Sequence, residues 1–240
     1  MMAQGITWLK PSKIKLAFLL EWSLFIVIEI ARGKVRSAHA ILVAAYPLLF
    51  FYLVACVLVP LSRHTRQIAR GWRLPALAIG LAILDQVLKT AVSTAIPNNT
   101  SIPIVEGWLH IAHVRNYRGS WIAATFDLAS GPFTQSVQWA LIIAVLALSV
   151  VYHRYYSTHH RQSLWVDVAF LGVFAAYTSW VWDTVFRGYV IDFIQLPGLV
   201  TADSKDILAS ISAAAVIAEL LDRRRRADRL SDSINEEYKR

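Results

Sequence analysis

The chain has 240 residues, of which 56% are hydrophobic and only 17% charged, and its mean hydropathy is +0.47. Those values exclude an ordinary soluble domain and fit a chain that crosses a bilayer several times. The net charge of +8 does not mark a nucleic-acid binder, because Lys and Arg gather in short runs between apolar segments, as in a positive-inside pattern.

In chain order, the first apolar segment covers residues 16–31. It is short for a span and carries Glu21 and Glu29, so a crossing and an amphipathic helix in the interface both stay open. It is followed by Arg32, Lys34 and Arg36 instead of a cleavage site, and a signal peptide is not expected. Roughly 20 apolar residues are needed to cross a bilayer as a helix, which predicts spans at residues 40–61, 74–96, 137–152 and 164–186. Cys56, the single cysteine, excludes an internal disulfide and a multi-thiolate metal site; "LVAC" around it is read as buried apolar sequence. A shorter segment at 207–221 is rich in Ala and Ser, which suits a helix packed on neighbours.

Arg63, Arg66, Arg70 and Arg73, then Arg154 and Arg161, then "RRRR" at 223–226 place their loops and the C-terminus in the cytoplasm. Residues 97–136 and 187–205 then face outside. Arg32, Lys34 and Arg36 conflict with that rule if all six segments cross. Residues 98–126 alternate in places and predict short strands on the outer membrane surface, and the terminal "SDSINEEYKR" is expected to fray.

Four acids need explaining in this frame: Asp85 within a span, Asp183 near the outer end of another, and Asp192 and Asp203 on either side of the turn "QLPGLV". A charge in or near hydrocarbon is costly unless paired or put to use. If the turn folds back, Asp192 and Asp203 face each other, and two adjacent carboxyls share one proton, an acid and a base in one place. That pair can activate a water and polarise a carbonyl, the chemistry of peptide hydrolysis. No Ser or Cys has a His base on the same face, which disfavours a covalent mechanism. The plainer alternatives are that Asp203, before Ser204, caps a helix and that Asp85 and Lys89 neutralise one another at i, i+4. His110 and His113 are expected on opposite faces of an exposed strand as surface residues, and His159 and His160 in a solvated loop.

"LDQVLK" (84–89), "HVRNYRG" (113–119), "GYVIDFI" (188–194) and "TADS" (201–204), in that order, resemble the motif set of lipoprotein signal peptidase, or signal peptidase II, a family of bacterial membrane aspartic endopeptidases. The resemblance implies an α-helical integral membrane protein with a four-helix transmembrane core, a small extracytoplasmic β-cradle and one or two extra N-terminal helices. It implies an N-terminal extension over 1–73, a signal peptidase II-like domain over 74–222 and a basic, polar tail over 223–240. Asp192 and Asp203 would be the catalytic pair, with Asp85, Lys89, Asn116 and Asp183 supporting or binding substrate. The implied substrates are diacylglyceryl-modified prolipoproteins, cleaved at the outer face of the bacterial cytoplasmic membrane, with membrane lipids around the chain. No metal or organic cofactor is expected, nor a nucleic acid; the extension leaves a membrane protein partner open.

The sequence departs from the family pattern in places. "GNxxDR" reads "SWVWDT", with Trp180 for the asparagine and Thr184 for the arginine; "FNxAD" reads "LVTAD", with Leu199 and Val200 for Phe and Asn; "NxGAAF" reads "NYRGSWIAATF". The turn from Asp192 to Asp203 is short for the family. Lost asparagines remove donors that would orient the acids. A catalytically silent relative acting as a membrane interaction subunit is therefore the alternative, and a proton-coupled transporter using Asp85, Asp183 and Glu29 a further one.

Overall fold

The computed structural model describes residues 9–117, 132–159 and 163–238. Its helices are α1 (Lys13–Ala17), α2 (Leu20–Ala31), α3 (Ala38–His64), α4 (Arg73–Ala95), α5 (Pro132–His159), α6 (Leu164–Trp182) and α7 (Ser204–Tyr238), with a π-helical turn (Asp183–Arg187) continuing α6. Strands β1 (Ser101–Val105), β2 (Leu109–Asn116), β3 (Val190–Leu196) and β4 (Val200–Ala202) form an antiparallel sheet in the order β1-β2-β3-β4. Among the described residues, α3, α4, residues 136–156 of α5, and α6 with its π turn are long and apolar enough to cross a membrane, in line with the expected spans.

Helix α7 runs antiparallel to α6 over the same height. Asp203, just before it, meets Lys89 at the sheet end, while Ser163, just before α6, donates to Glu219 at the other. Small residues make this contact close: a Cβ on Gly172 would stand 2.5 Å from the Leu208 carbonyl oxygen, and Ser212 Oγ donates to the Ala169 carbonyl at 2.5 Å. That is why the Ala- and Ser-rich segment forms a packed helix without the hydropathy of a lipid-facing one.

The N-terminal segments are built into this body. Ile14 and Phe18 share a core with Phe51, Ala55, Trp165 and Ala215 toward one end. Phe25 and Val35 share another with Val43, Leu196 and Leu199 beneath the sheet. Residues 13–31 therefore run from the Trp165 end toward the sheet as two short helices, neither of them long enough by itself to span a bilayer. Arg32 and Lys34 thus stand at the sheet end, away from the other described basic runs, and each has a local partner there. Both pair with Glu29, at 2.8 and 3.1 Å, and Glu29 is fully buried. At the opposite end the Ile68 backbone N–H donates to Asp167, and Arg223 and Arg226 pair with Glu219.

Two expectations are corrected. Residues 231–238 of the C-terminal tail are helical, because α7 continues through Tyr238; pairs such as Arg226–Asp222, at 3.1 Å, support its polar half. His113 is buried and its Nδ1 lies 2.8 Å from the Ile96 carbonyl oxygen, and His110 Nδ1 lies 3.2 Å from Ser101 Oγ. The end of α4 covers His113, so it is not the surface residue that alternation suggested, whereas His110 stays partly exposed. The part of the expected strand segment beyond Tyr117 lies outside the described residues, as does His160.

Candidate active site

Asp192 sits on β3 opposite Val114 of β2, and Asn116 stands two positions further along β2, on the same face of the sheet. Asn116 Nδ2 donates to Asp192 Oδ2 at 3.0 Å. The hairpin between β3 and β4 turns through Gly198 at φ +74°, a conformation that suits glycine, and pairs Leu196 with Val200. The chain so reversed brings Asp203 back beside Asp192: carboxylate oxygens of Asp192, Asp203 and Asp206 all lie within 4.8 Å of one another. That gap admits a water hydrogen-bonded to both acids.

Asp203 does two jobs. Its Oδ1 accepts from the Asp206 backbone N–H and Asp206 Oδ2 accepts from the Asp203 N–H, each at 3.2 Å, a reciprocal cap on α7. The capping expectation is thus met by one oxygen. The other, Oδ2, faces Lys89 Nζ at 2.6 Å and Lys205 Nζ at 2.7 Å. Asp192 Oδ1 is buried with no hydrogen-bond partner among the described residues.

Beneath the pair, Lys89 is the hub. Its ammonium, fully buried, lies 2.7 Å from Asp85, 2.5 Å from Asp183 and 2.6 Å from Asp203. The expected Asp85–Lys89 neutralisation is therefore one arm of a larger cluster, and the space among these carboxylates is filled by the ammonium. Ser179 and Ser204 both donate to Asp85. Asp183 is held by Arg187, one helical turn on, which also donates to Gln86 and to Thr90 Oγ1 at 3.0 Å. Gln86 Nε2 donates to Ser179 Oγ at 2.9 Å and to Asp183 Oδ1 at 3.2 Å.

The two acids above this cluster are unlike. Burial pushes the Asp192 carboxyl up to about 7, with Asp203 and Asp206 adding to the rise and Lys205 and Asn116 opposing it. Burial acts on Asp203 in the same direction, but Lys205 and Lys89 outweigh it and hold that carboxyl below the ordinary carboxylate value. At neutral pH one member of the pair is ionised and the other is poised to hold a proton.

A family model described as Signal peptidase (SPase) II matches residues 77–222. The chain belongs to the signal peptidase II family. The lipoprotein signal peptidase of Fusobacterium nucleatum subsp. nucleatum is 23% identical over 141 residues, 58% of this chain and 80% of that protein. That of Geobacter sulfurreducens is 26% identical over 121 residues, 50% of this chain and 71% of that protein. Two solved structures of bacterial membrane enzymes share the fold. One, at 22% identity and TM-score 0.54, covers 66% of this chain and 98% of its own. The other, at 23% identity and TM-score 0.52, covers 62% of this chain and 88% of its own.

Against the signal peptidase II motifs, the departures now have structural surroundings. Trp180, in place of an asparagine, packs with Trp139 and Val190, while Ser179 beside it reaches Asp85. Thr184, in place of an arginine, turns back to the Trp180 carbonyl at 2.9 Å, and Arg187 supplies the guanidinium to Asp183. The i, i+4 spacing of Asp183 and Arg187 was a usable signal for that pair. Gln86, Ser179, Ser204 and Lys205 were missed, and only contacts between distant segments single them out.

Proposed function

We propose that the chain is an aspartic endopeptidase that removes signal peptides from diacylglyceryl-modified prolipoproteins, with Asp192 and Asp203 as its catalytic pair. The observation that carries this reading is the buried convergence of those two carboxyls, Asp203 against two ammonium groups and Asp192 against the neutral amide of Asn116. In the proposed reaction Asp203, ionised, takes a proton from the water held between the acids as its oxygen attacks the scissile carbonyl carbon. Asp192, protonated, gives its proton to the carbonyl oxygen. Collapse of the tetrahedral intermediate breaks the C–N bond. The proton on Asp203 passes to the leaving nitrogen, and the intermediate's hydroxyl returns its proton to Asp192, leaving a new carboxyl and a new amine.

Asn116 orients Asp192, and Lys89, itself fixed by Asp85 and Asp183, orients Asp203. A mostly apolar cavity of about 860 Å³ between α4 and α6, lined by Ile83, Val87, Trp182 and Arg187 among others, gives an apolar part of a substrate a place beside this cluster. The basic ends of the helices support an orientation with the acids at the extracytoplasmic face of a bacterial cytoplasmic membrane and the C-terminus in the cytoplasm.

The test is cleavage of a diacylated prolipoprotein by purified protein in detergent. Wild type releases the signal peptide, and Asp192→Asn and Asp203→Asn each abolish release. Lipopeptide binding without cleavage by wild type would replace this reading with that of a silent relative. The ammonium of Lys205 on Asp203 is the feature that makes this second outcome worth measuring.

A further inference from the structure

Lys205 is a lysine where hydrocarbon and acids meet, and the family resemblance assigns it nothing. It is 6% exposed, and its Nζ lies 2.7 Å from Asp203 Oδ2 and 3.5 Å from Asp206 Oδ1. A buried ammonium costs several kcal/mol unless paired, so its placement is specific. It stands on the first turn of α7, where the helix dipole disfavours a cation, and the acids around it overcome that disadvantage.

We propose that Lys205 is a positioning residue that assigns the roles of the two acids, fixing Asp203 as the base and leaving the proton to Asp192. The proposal rests on the aspartic-peptidase reading and deepens it. Asp203 has about four lone-pair sites on its two oxygens. Lys89 and Lys205 take Oδ2, and the Asp206 N–H takes part of Oδ1, so Oδ1 alone keeps a lone pair for a water. Asp192 has only the neutral amide of Asn116 on Oδ2 and an unpartnered Oδ1. The cation thus sits on one side of the pair and breaks its symmetry. In the family pattern "FNxAD" an asparagine stands three residues before the acid; Val200 stands there in this chain, and Lys205 approaches the same carboxyl from its other side in sequence.

The charged groups facing this carboxyl from the surrounding elements are Lys89 and Asp85 from α4, Asp183 from the π turn, Asp192 from β3 and Asp206 from α7. Arg115, on β2, lies over the Tyr189 ring at 4.9 Å. Lys89 is shared among three acids, and Lys205 supplies the second cation that Asp203 receives. Lys205 lowers both Asp192 and Asp203, so its removal raises both.

The test compares the pH profile of cleavage for wild type, Lys205→Met and Lys205→Arg in detergent. The acid limb reports Asp203 losing its proton and the alkaline limb Asp192 losing its own. Lys205→Met is expected to move the acid limb to higher pH by about one unit, the lower range for loss of an adjacent opposite charge, and the alkaline limb by less, because the ammonium bonds Asp203. Lys205→Arg is expected to restore both, and equal movement of the two limbs overturns the assignment of roles. Unmoved limbs in Lys205→Met overturn the proposal whatever happens to the rate, because packing alone scales activity without shifting a titration. A second readout uses infrared titration of ¹³C-carboxyl aspartate, with the Asp203 band assigned by Asp203→Asn. In wild type that band stays ionised below the ordinary value of about 3.9, and a band titrating at or above it overturns the proposal even if Lys205→Met does not fold. If wild type does not cleave, the peptidase reading fails, while a higher-titrating Asp203 band in Lys205→Met than in wild type still supports the role of Lys205 and an unmoved band overturns it.

Discussion

At the scale of single residues, burial sets both the cost and the chemistry of the charged cluster. Replacing Lys89 with Met leaves Asp85, Asp183 and Asp203 without their shared ammonium, and uncompensated buried charge of this kind costs about 3–5 kcal/mol. Lys89→Met is therefore expected to unfold at clearly lower temperature in detergent, as read by differential scanning fluorimetry, and to lose cleavage. Asn116 acts more mildly. Its N–H favours the ionised form of Asp192, so Asn116→Leu raises that carboxyl further above about 7. The group then keeps its proton to higher pH, and the alkaline limb of the cleavage profile moves up while its maximum falls. A downward movement of that limb would show that Asp192 is not the proton donor. The acids were visible in the sequence as costly placements and as a pair sharing one proton, but which of them holds it was not, because the cations that separate them come from α4 and α7.

At the scale of elements, close packing and bracing hold the site. The Gly172 position allows α7 to approach α6, and any Cβ there meets the Leu208 carbonyl. Gly172→Val is expected to cost about 1–3 kcal/mol through overpacking and to lower the unfolding temperature without moving the pH profile. The N-terminal helices reach the sheet in a second way. His39, at the start of α3, has Nε2 3.0 Å from the Gly107 carbonyl oxygen and its ring edge-on to Trp108, and Tyr46 donates to the Trp108 carbonyl at 3.4 Å. These contacts tie the β1–β2 turn to the body. His39→Ala removes roughly 1 kcal/mol of local restraint, so amide exchange at the turn is expected to speed up about fivefold. The periodicity of the segments gave the main helices and strands somewhere in 98–126, where β1 and β2 lie. It did not show that residues 13–31 pack beside α7 and reach the sheet, since apolar length alone left that segment ambiguous and its acids find partners only in the folded chain.

At the scale of the whole molecule, the described basic runs collect at one end, apart from Arg32 and Lys34, and the sheet with its acid pair at the other. For the proposed orientation, Arg70→Cys is expected to react with a membrane-impermeant maleimide only from the cytoplasmic side, and Ser101→Cys only from outside. Cys56, at 1% exposure, stays silent in both experiments. Labelling of both positions from the same side would refute the arrangement. By itself the sequence determined that the chain lives in a membrane, where its main spans run and which acids are too costly to be idle, because hydropathy and charge placement are local properties read along one dimension. Only the tertiary structure decided that Lys89 joins Lys205 on Asp203, that Arg187 reaches Gln86 and Thr90, and that the N-terminal helices brace the sheet. Those are interactions across space between segments about a hundred residues apart or more, as far as Phe25 from Leu199, and their strength depends on the exclusion of water that the folded body creates.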